Sequence, residues 1–274
     1  MYELRQTGTS PGEIGLYADL LSAVFPATHH FNADFLTWQY KLNPLGPVVG
    51  FDAWSGRELA AHYVTIPVQF AIAGRLTKGL LSLNTATRPD HQGKGLFTSL
   101  ATKTYELART LGYEFVVGVA NQNSTPGFLK KLGFSLIGPL DVKIGIGRVR
   151  SKPRSAYALN PIWSDEHLRW RLRNPSRTYR ARGGNVFART GTMGISAVLC
   201  LNRSLPGRAA RIPALGLQTW IGIDRNVRFR GIFIDLPERF RPSPLNCIFK
   251  DLGSSHPVFA HDDVHFELID FDAY

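Results

Sequence analysis

The residues best suited to chemistry form a glycine-containing turn, Gln92-Gly93-Lys94-Gly95-Leu96-Phe97, between an extended segment and an amphipathic helix. Glycines let the backbone approach a ligand closely, and the first turn of a helix has unpaired amides. The helix N-terminus also carries partial positive charge, and Lys94 adds a full charge. The turn therefore predicts a pyrophosphate site, although a plain strand-to-helix connection can have the same sequence.

Two common phosphate-binding motifs do not fit this turn. Thr98 stands where the dinucleotide fingerprint has its third glycine, and no Gly-Lys-Ser/Thr ends a P-loop spacing. A second polar stretch, Asn121-Gln122-Asn123-Ser124, follows about thirty residues later and precedes a short helix that ends at Leu132-Gly133-Phe134.

Together these stretches resemble the GNAT superfamily of acyl-CoA-dependent N-acyltransferases. The family signature Gln/Arg-x-x-Gly-x-Gly/Ala matches Gln92, Gly95 and, at its last position, Phe97; its second motif matches residues 121–134. The resemblance is specific over residues 84–134. It implies an N-acyltransferase that moves the acyl group directly from acetyl-CoA or another acyl-CoA to an amine.

The resemblance also implies how the cosubstrate binds. The CoA-binding residues would be the following: the backbone amides of Gly93, Lys94, Gly95, Leu96 and Phe97, with Gln92, for the pyrophosphate; the backbone of Thr85, Ala86 and Thr87 for the pantetheine arm; and Asn121 and Ser124 for the pantetheine or its thiol end. Phe97 departs from the small residue of the family. Leu129 stands where many members have the tyrosine that protonates the leaving thiolate.

An acceptor amine must lose a proton before attack, so a base or a water chain is expected. The candidates are His29 and His30, between the first two predicted helices, His62 in a strand, and Asp34. Each histidine can equally be structural. We expect His91 to contact a CoA phosphate, and we expect no metal site.

The surrounding pattern predicts elements in the order β-α-α-β-β-β-α-β-α-β up to residue 147. Ser10 and Pro11 begin the first helix, and Leu136–Gly147 reads as one final strand. The fold class is therefore α/β (α+β), a GNAT-like mixed sheet flanked by helices. We predict a GNAT domain over residues 1–149, a linker over 150–160 and a second half over 161–274.

The second half partly repeats the first. Residues 34–44 resemble residues 166–175 once one residue is dropped, since each has a Leu-x-Trp followed by Asn-Pro. A glycine-containing turn between two short strands follows in both. We therefore predict a strand-rich, degenerate GNAT-like half that serves in acceptor binding or dimerisation.

Composition bounds the remaining possibilities. Hydrophobic residues are 44% and charged residues 19% of 274, which fits an ordered globular chain. The sequence has no apolar run long enough to span a membrane and no signal-peptide core at its start. Its two cysteines make no disulfide framework. We therefore expect a cytoplasmic protein, and a homodimer is compatible with the sequence.

Charge points to an anionic partner. The formal net charge is +11, and eleven basic residues lie between Arg148 and Arg189 against Asp165 and Glu166. This run is either a solvated surface or a phosphate-binding one. If it binds phosphate, Arg169 and Arg173 share a helix face and would contact a phosphorylated acceptor, whereas Arg171 would point away.

The Trp-x-x-x-x-Asn-Pro segment and the ending Asp270-Phe271-Asp272 resemble N-acyltransferases of nucleotide-linked amino sugars in surface polysaccharide biosynthesis. Other amines stay open as acceptors: an antibiotic, a polyamine or an aminoacyl-tRNA. A non-catalytic acyl-CoA sensor is a third reading, because of Leu129. Nucleic-acid binding is disfavoured, since no RNP-like strand, helix-turn-helix or zinc pattern accompanies the charge.

Overall fold

The computed structural model describes residues 1–151, 157–190, 192, 194–201, 216–237 and 243–271. Six α-helices lie within these ranges: α1 Pro11–Val24, α2 Ala33–Tyr40, α3 Leu96–Thr110, α4 Thr125–Leu132, α5 Asp165–Arg171 and α6 Leu268–Phe271. The same ranges contain fifteen strands: β1 Glu3–Gln6, β2 Val49–Ser55, β3 Glu58–Ile72, β4 Arg75–Thr87, β5 Phe115–Ala120, β6 Ser135–Pro139, β7 Asp141–Ser151, β8 Leu159–Pro161, β9 Tyr179–Arg182, β10 Asn185–Arg189, β11 Ile195–Cys200, β12 Leu217–Ile223, β13 Val227–Asp235, β14 Asn246–Asp251 and β15 Phe266–Glu267.

Local sequence explains where the first helices begin. Ser10 caps α1 in a capping box with Glu13, and Pro11 occupies the first helical position. Asn32 caps α2 by accepting the amide of Phe35 at 3.0 Å. Gly133, with φ +66°, ends α4. These caps confirm the predicted helices α1, α2 and α4 to within a few residues.

The first sheet has the strand order β1-β2-β3-β4-β5-β14-β6, with β8 paired to the end of β3. Its strands β4 and β5 are parallel, but they pair only over Gly79–Ser82 and Phe115–Gly118. Beyond this point the two strands have no further pairing, which leaves a wedge, defined here as the space between residues 83–87 and 119–120. Helices α1 and α2 pack on one side of the sheet, and α3 and α4 pack on the other.

The second sheet has the order β13-β7-β12-β11-β10-β9, with β15 paired to β12. The two halves exchange strands: β7 lies between β12 and β13, and β14 lies between β5 and β6. The single strand predicted over Leu136–Gly147 is therefore wrong. A break at Leu140 sends β6 into the first sheet and β7 into the second, so that each half completes the core of the other.

The predicted linker, 150–160, is only partly irregular. Residues 150–151 belong to β7, residues 159–160 belong to β8, and residues 152–156 lie outside the described ranges. Strands from before and after this segment enter each sheet. A boundary at residue 150 therefore divides the sequence but does not separate the two sheets.

Helices α2 and α5 meet through their tryptophans. The rings of Trp38 and Trp170 stack at 4.9 Å with an interplanar angle of 17°. Each indole N–H donates to the other residue's backbone carbonyl, at 2.8 Å from Trp38 and 2.9 Å from Trp170. A reciprocal pair of this kind fits an architecture of two halves. The predicted mixed α/β fold with a strand-rich second half is confirmed, and the GNAT-like character of that half stays a prediction.

No helix of the described residues is both long enough and apolar enough to cross a membrane.

Candidate active site

The glycine turn has the geometry of an anion site. Gly93 and Gly95 have φ angles of +73° and +75°, and both are exposed. Among the described residues, the backbone amides of residues 93–98 donate no hydrogen bond; the first donor of the helix is Ser99, to the carbonyl of Gly95 at 3.1 Å. Lys94 is exposed, and its ammonium donates to the carbonyl of Asp90. An unsatisfied row of amides at a helix N-terminus suits a phosphate group.

Phe97, which departs from the family pattern, packs between α3 and α4. Its ring meets Tyr63 at 5.9 Å and Phe128 at 5.1 Å, both edge to face. A Cβ at Gly127 would lie 3.0 Å from the Phe97 ring. The missing side chain on α4 therefore makes room for the large side chain on α3, and the turn keeps its shape.

The wedge begins at a bulge in β4. His62 pairs with Ala86 and Val64 pairs with Leu83, so Asn84 and Thr85 share one position of β3. Asn84 has a φ of +46°, which is uncommon for a residue other than glycine. The predicted pantetheine-binding residues Thr85, Ala86 and Thr87 line up directly after this bulge.

The side chains of Asn121 and Ser124 each accept the backbone amide of the other residue at the start of α4. The Asn121 side-chain oxygen accepts the amides of Asn123 and Ser124, and the Ser124 hydroxyl accepts the amide of Asn121 at 3.1 Å. These bonds shape the turn that follows β5. Among the described residues, the side-chain amide nitrogen of Asn121 donates no hydrogen bond, and its contact with pantetheine stays a prediction.

The structure places His62 in a buried polar network that sequence reasoning missed. The ring is fully buried, its Nδ1 lies 2.6 Å from Asp52, and its Nε2 lies 2.9 Å from the Tyr40 hydroxyl. It also stacks on Tyr17 at 4.4 Å. Since both ring nitrogens are engaged, His62 cannot touch an acceptor amine directly.

Tyr40 extends this network to the wedge. The side-chain amide of Asn84 donates to the Tyr40 hydroxyl at 3.0 Å and to the Gln39 side-chain oxygen at 2.6 Å. Burial raises the pKa of Tyr40 far above its ordinary value, so the phenol stays protonated. One signal could have revealed Asn84: asparagine is depleted in strand interiors, and it tolerates positive φ.

The remaining histidines have different surroundings. His29 is exposed, and His30 is half-buried between Phe31 and Phe35, at 4.7 and 4.6 Å. His91 is buried and bonds the Tyr2 hydroxyl at 2.7 Å and Glu58 at 3.3 Å. The structure thus gives His91 two protein partners rather than a free face at the turn.

A groove of about 750 Å³ lies where α2 and α5 meet. Its lining comes from both helices and their C-terminal turns: Asp34, Trp38, Leu42, Pro44, Glu166, Arg169, Trp170, Arg173 and Pro175. The two arginines predicted to share a helix face therefore line one groove. Both are exposed.

As expected, Arg171 points away from the face of Arg169 and Arg173 and does not line the groove. Its side chain is 1% exposed, and its guanidinium lies 5.1 to 5.8 Å from the rings of Trp38, Trp163 and Trp170. The α2–α5 stacking turns this face of α5 inward, where the flat guanidinium fits among indoles.

Comparison with known proteins identifies a related family for the first half of the chain. Residues 8–137 match the model of the acetyltransferase (GNAT) domain. Residues 8–137, slightly less than half of the chain, are thus similar to the GNAT acetyltransferase domain. The enzyme class is an N-acyltransferase with acyl-CoA as its cosubstrate.

Solved structures extend the fold to the whole chain. A conserved protein of unknown function from Enterococcus faecalis V583, a probable N-acyltransferase, is 11% identical with a TM-score of 0.58, over 92% of this chain and 73% of its own. A GCN5-related N-acetyltransferase from Anabaena variabilis is 11% identical with a TM-score of 0.57, over the same shares. Saccharomyces cerevisiae N-myristoyltransferase with bound myristoyl-CoA is 10% identical with a TM-score of 0.51, over 72% and 62%. A search of curated protein sequences gave no match.

Proposed function

We propose that this GNAT domain binds acyl-CoA with its pyrophosphate on the amides of residues 93–98 and its pantetheine along Thr85–Thr87. The supporting observation is the row of unpaired amides beside an open wedge. In the reaction, the acceptor nitrogen forms a bond to the thioester carbonyl carbon and the carbon–sulfur bond breaks. The amine's proton passes to a base or water, and solvent protonates the thiolate, since Leu129 offers no acid.

We propose further that the acceptor is a phosphorylated amine, best matched by a nucleotide-linked amino sugar. The groove between α2 and α5 carries this proposal, because Arg169 and Arg173 line it beside the paired indoles of Trp38 and Trp170. Arginine binds phosphate oxygens through two parallel N–H groups.

The same groove supports a second candidate. Asp34 and Glu166 also line it, from the first turns of α2 and α5. Two carboxylates would favour a cationic acceptor such as a polyamine or an aminoglycoside antibiotic. The two candidates thus differ in which charges of the groove hold the acceptor.

One experiment separates these candidates. Thiol release from acetyl-CoA is measured with a nucleotide-linked amino sugar, with spermidine and with an aminoglycoside. For the nucleotide sugar, we expect Arg169→Ala and Arg173→Ala each to raise the Michaelis constant by about tenfold, the value of one charge-assisted hydrogen bond. Arg57→Ala, an exposed arginine in the β2–β3 turn, is the matched control.

The outcome assigns the groove. Turnover of the nucleotide sugar with an arginine-dependent Michaelis constant supports the phosphorylated acceptor. Turnover of spermidine or the aminoglycoside that weakens in Asp34→Asn or Glu166→Gln supports the cationic acceptor. Equal and small effects of all five substitutions would contradict the groove as the acceptor site.

A further inference from the structure

A chain of hydrogen bonds runs from the interior of the first half to the bulge of β4. Asp52 on β2 accepts from Thr7, Tyr17 and the Nδ1 of His62, at 3.1, 2.8 and 2.6 Å. His62 on β3 meets the Tyr40 hydroxyl of α2, and Tyr40 meets the side chain of Asn84. The chain is buried until it reaches Asn84, which is half-buried.

The direction of these hydrogen bonds follows from the donors available. The Asp52 carboxylate accepts, so the Nδ1 of His62 donates to it. The Tyr40 oxygen accepts from the side-chain NH2 of Asn84, and its own hydroxyl hydrogen is therefore directed away from Asn84, toward the Nε2 of His62. This assignment fixes the side-chain NH2 of Asn84 toward α2, where Gln39 takes its second hydrogen.

The hydrogen-bond network ends at the side-chain oxygen of Asn84. Among the described residues it accepts no hydrogen bond, whereas both hydrogens of its nitrogen are engaged. Asn84 lies two residues beyond Ser82, the last residue of β4 that pairs with β5. A hydrogen-bond acceptor is thus held at the mouth of the wedge, on the α2 side of the sheet.

We propose that Asn84 binds the attacking amine, with its Oδ1 accepting an N–H of the acceptor nitrogen. Tyr40, His62 and Asp52 are positioning residues that fix which end of the Asn84 amide is presented. An acceptor at this place orients the nitrogen lone pair toward a thioester bound in the wedge, and it takes no proton itself. The inference rests on the proposed acyl transfer and assigns the residue that holds the nucleophile.

The test uses the whole chain with acetyl-CoA and hydroxylamine, a small amine that needs no acceptor groove. We expect Asn84→Ala to lower kcat/KM for hydroxylamine by about 10- to 100-fold, as expected for the loss of one hydrogen bond to the reacting group. CoA affinity should stay within about twofold. Asn84→Asp, which also presents an oxygen acceptor, should recover part of the loss.

A matched pair of variants tests the positioning residues. Tyr40→Phe removes the hydroxyl that orients Asn84, and we expect about a tenfold rise in the Michaelis constant for hydroxylamine. Tyr63→Phe removes an equally buried hydroxyl from β3, one that bonds Ser82 and Tyr105 on the opposite side of the sheet. Its Michaelis constant for hydroxylamine should equal the parent's, even if both variants lose the same thermal stability.

Three results would contradict the acyl transfer, the role of Asn84 or the role of Tyr40, and they are distinguishable. If the parent binds CoA but shows no amine-dependent thiol release, the acyl transfer itself is contradicted. If the parent is active and Asn84→Ala weakens CoA binding as much as it slows the hydroxylamine reaction, Asn84 supports the strand or the CoA site rather than the amine. Equal Michaelis constants in Tyr40→Phe and Tyr63→Phe would reject the positioning role.

Discussion

The two halves of the chain share a topology but not a chemistry. In each half, two adjacent strands run parallel over four residue pairs: β4 with β5, and β11 with β12. In each, the preceding antiparallel pair is interrupted near the end of that parallel stretch, at His62/Val64 in the first half and at Val186/Phe187 in the second. The framework of a wedge is therefore present twice.

The two bulges contain different residues. The first contains Asn84, half-buried and hydrogen-bonded to α2, whereas the second contains Leu199, which is fully buried. The first half also has the glycine turn, and the equivalent connection in the second half, 202–215, lies outside the described residues. Strand topology alone therefore does not make an active site, because only the first half has a polar side chain at its bulge.

The largest effect on stability is expected from Arg171, which is buried among one indole of the first half and two of the second. Arg171→Ala would leave a cavity and remove the cation–π contacts, at a cost of about 3 kcal/mol. We expect the thermal midpoint to fall by about 6–12 °C. Arg173→Ala, two residues away and exposed, should change the midpoint by less than about 2 °C. Similar midpoints for both variants would refute the buried role.

The glycine turn gives the next largest effect. Gly95→Val should weaken CoA binding by about 100-fold, because a β-branched residue resists a φ of +75° even though a Cβ there meets no atom within 4 Å. Gly74→Val is the control: Gly74, in the β3–β4 turn, has a φ of +82° and equally open surroundings. Binding is measured by titration with CoA. Full CoA affinity in Gly95→Val would contradict the site.

The reciprocal tryptophans test how far the two halves are equivalent. Among the described residues, the Trp38 carbonyl accepts only the Trp170 indole, whereas the Trp170 carbonyl also accepts the amide of Arg173 at 3.0 Å. Trp170→Phe should therefore cost about 2 kcal/mol and Trp38→Phe about 1 kcal/mol, since only the first leaves a carbonyl without a donor. Urea unfolding measures both. The opposite order would show that the indole bonds do not set the difference.

The smallest effect is expected at the closed end of the β4–β5 pair. Arg75 and Glu114 form a bidentate ion pair there, and the hydrogen bond from Arg75 lowers the pKa of Glu114. Because this pKa is lowered, the stabilisation is present above the ordinary carboxyl pKa and is lost as the pH falls through the lowered one. Glu114→Gln should lower the midpoint by less than about 2 °C at pH 7 and by nothing at low pH. A loss that persists in acid would exclude the ion pair as its cause.

Much of the first half could be predicted from sequence because its signals are local. Ser10 with Glu13, Asn32 and Gly133 satisfy backbone groups within a few residues of themselves, so they define helix ends in almost any context. The turn at Gly93 and Gly95 belongs to the same class. Its unpaired amides and positive φ angles follow from the residues of the turn alone.

The polar network could not be predicted in this way. Asp52, His62, Tyr40 and Asn84 come from four separate elements, and a lone histidine in a strand is compatible with many roles. The direction of its hydrogen bonds, and with it the free oxygen of Asn84, exists only once β2, β3, β4 and α2 are packed together.

The sequence by itself determined the glycine turn and the order of the elements up to Leu132, since backbone donors and helix caps depend on neighbouring residues. Only the tertiary structure decided that β7 and β14 are exchanged between the sheets, that Arg171 is buried, and that the two tryptophans bond each other. The physical reason is that burial depends on which surface covers a residue. Trp38 and Trp170 are 132 positions apart, and no local sequence pattern predicts their contact.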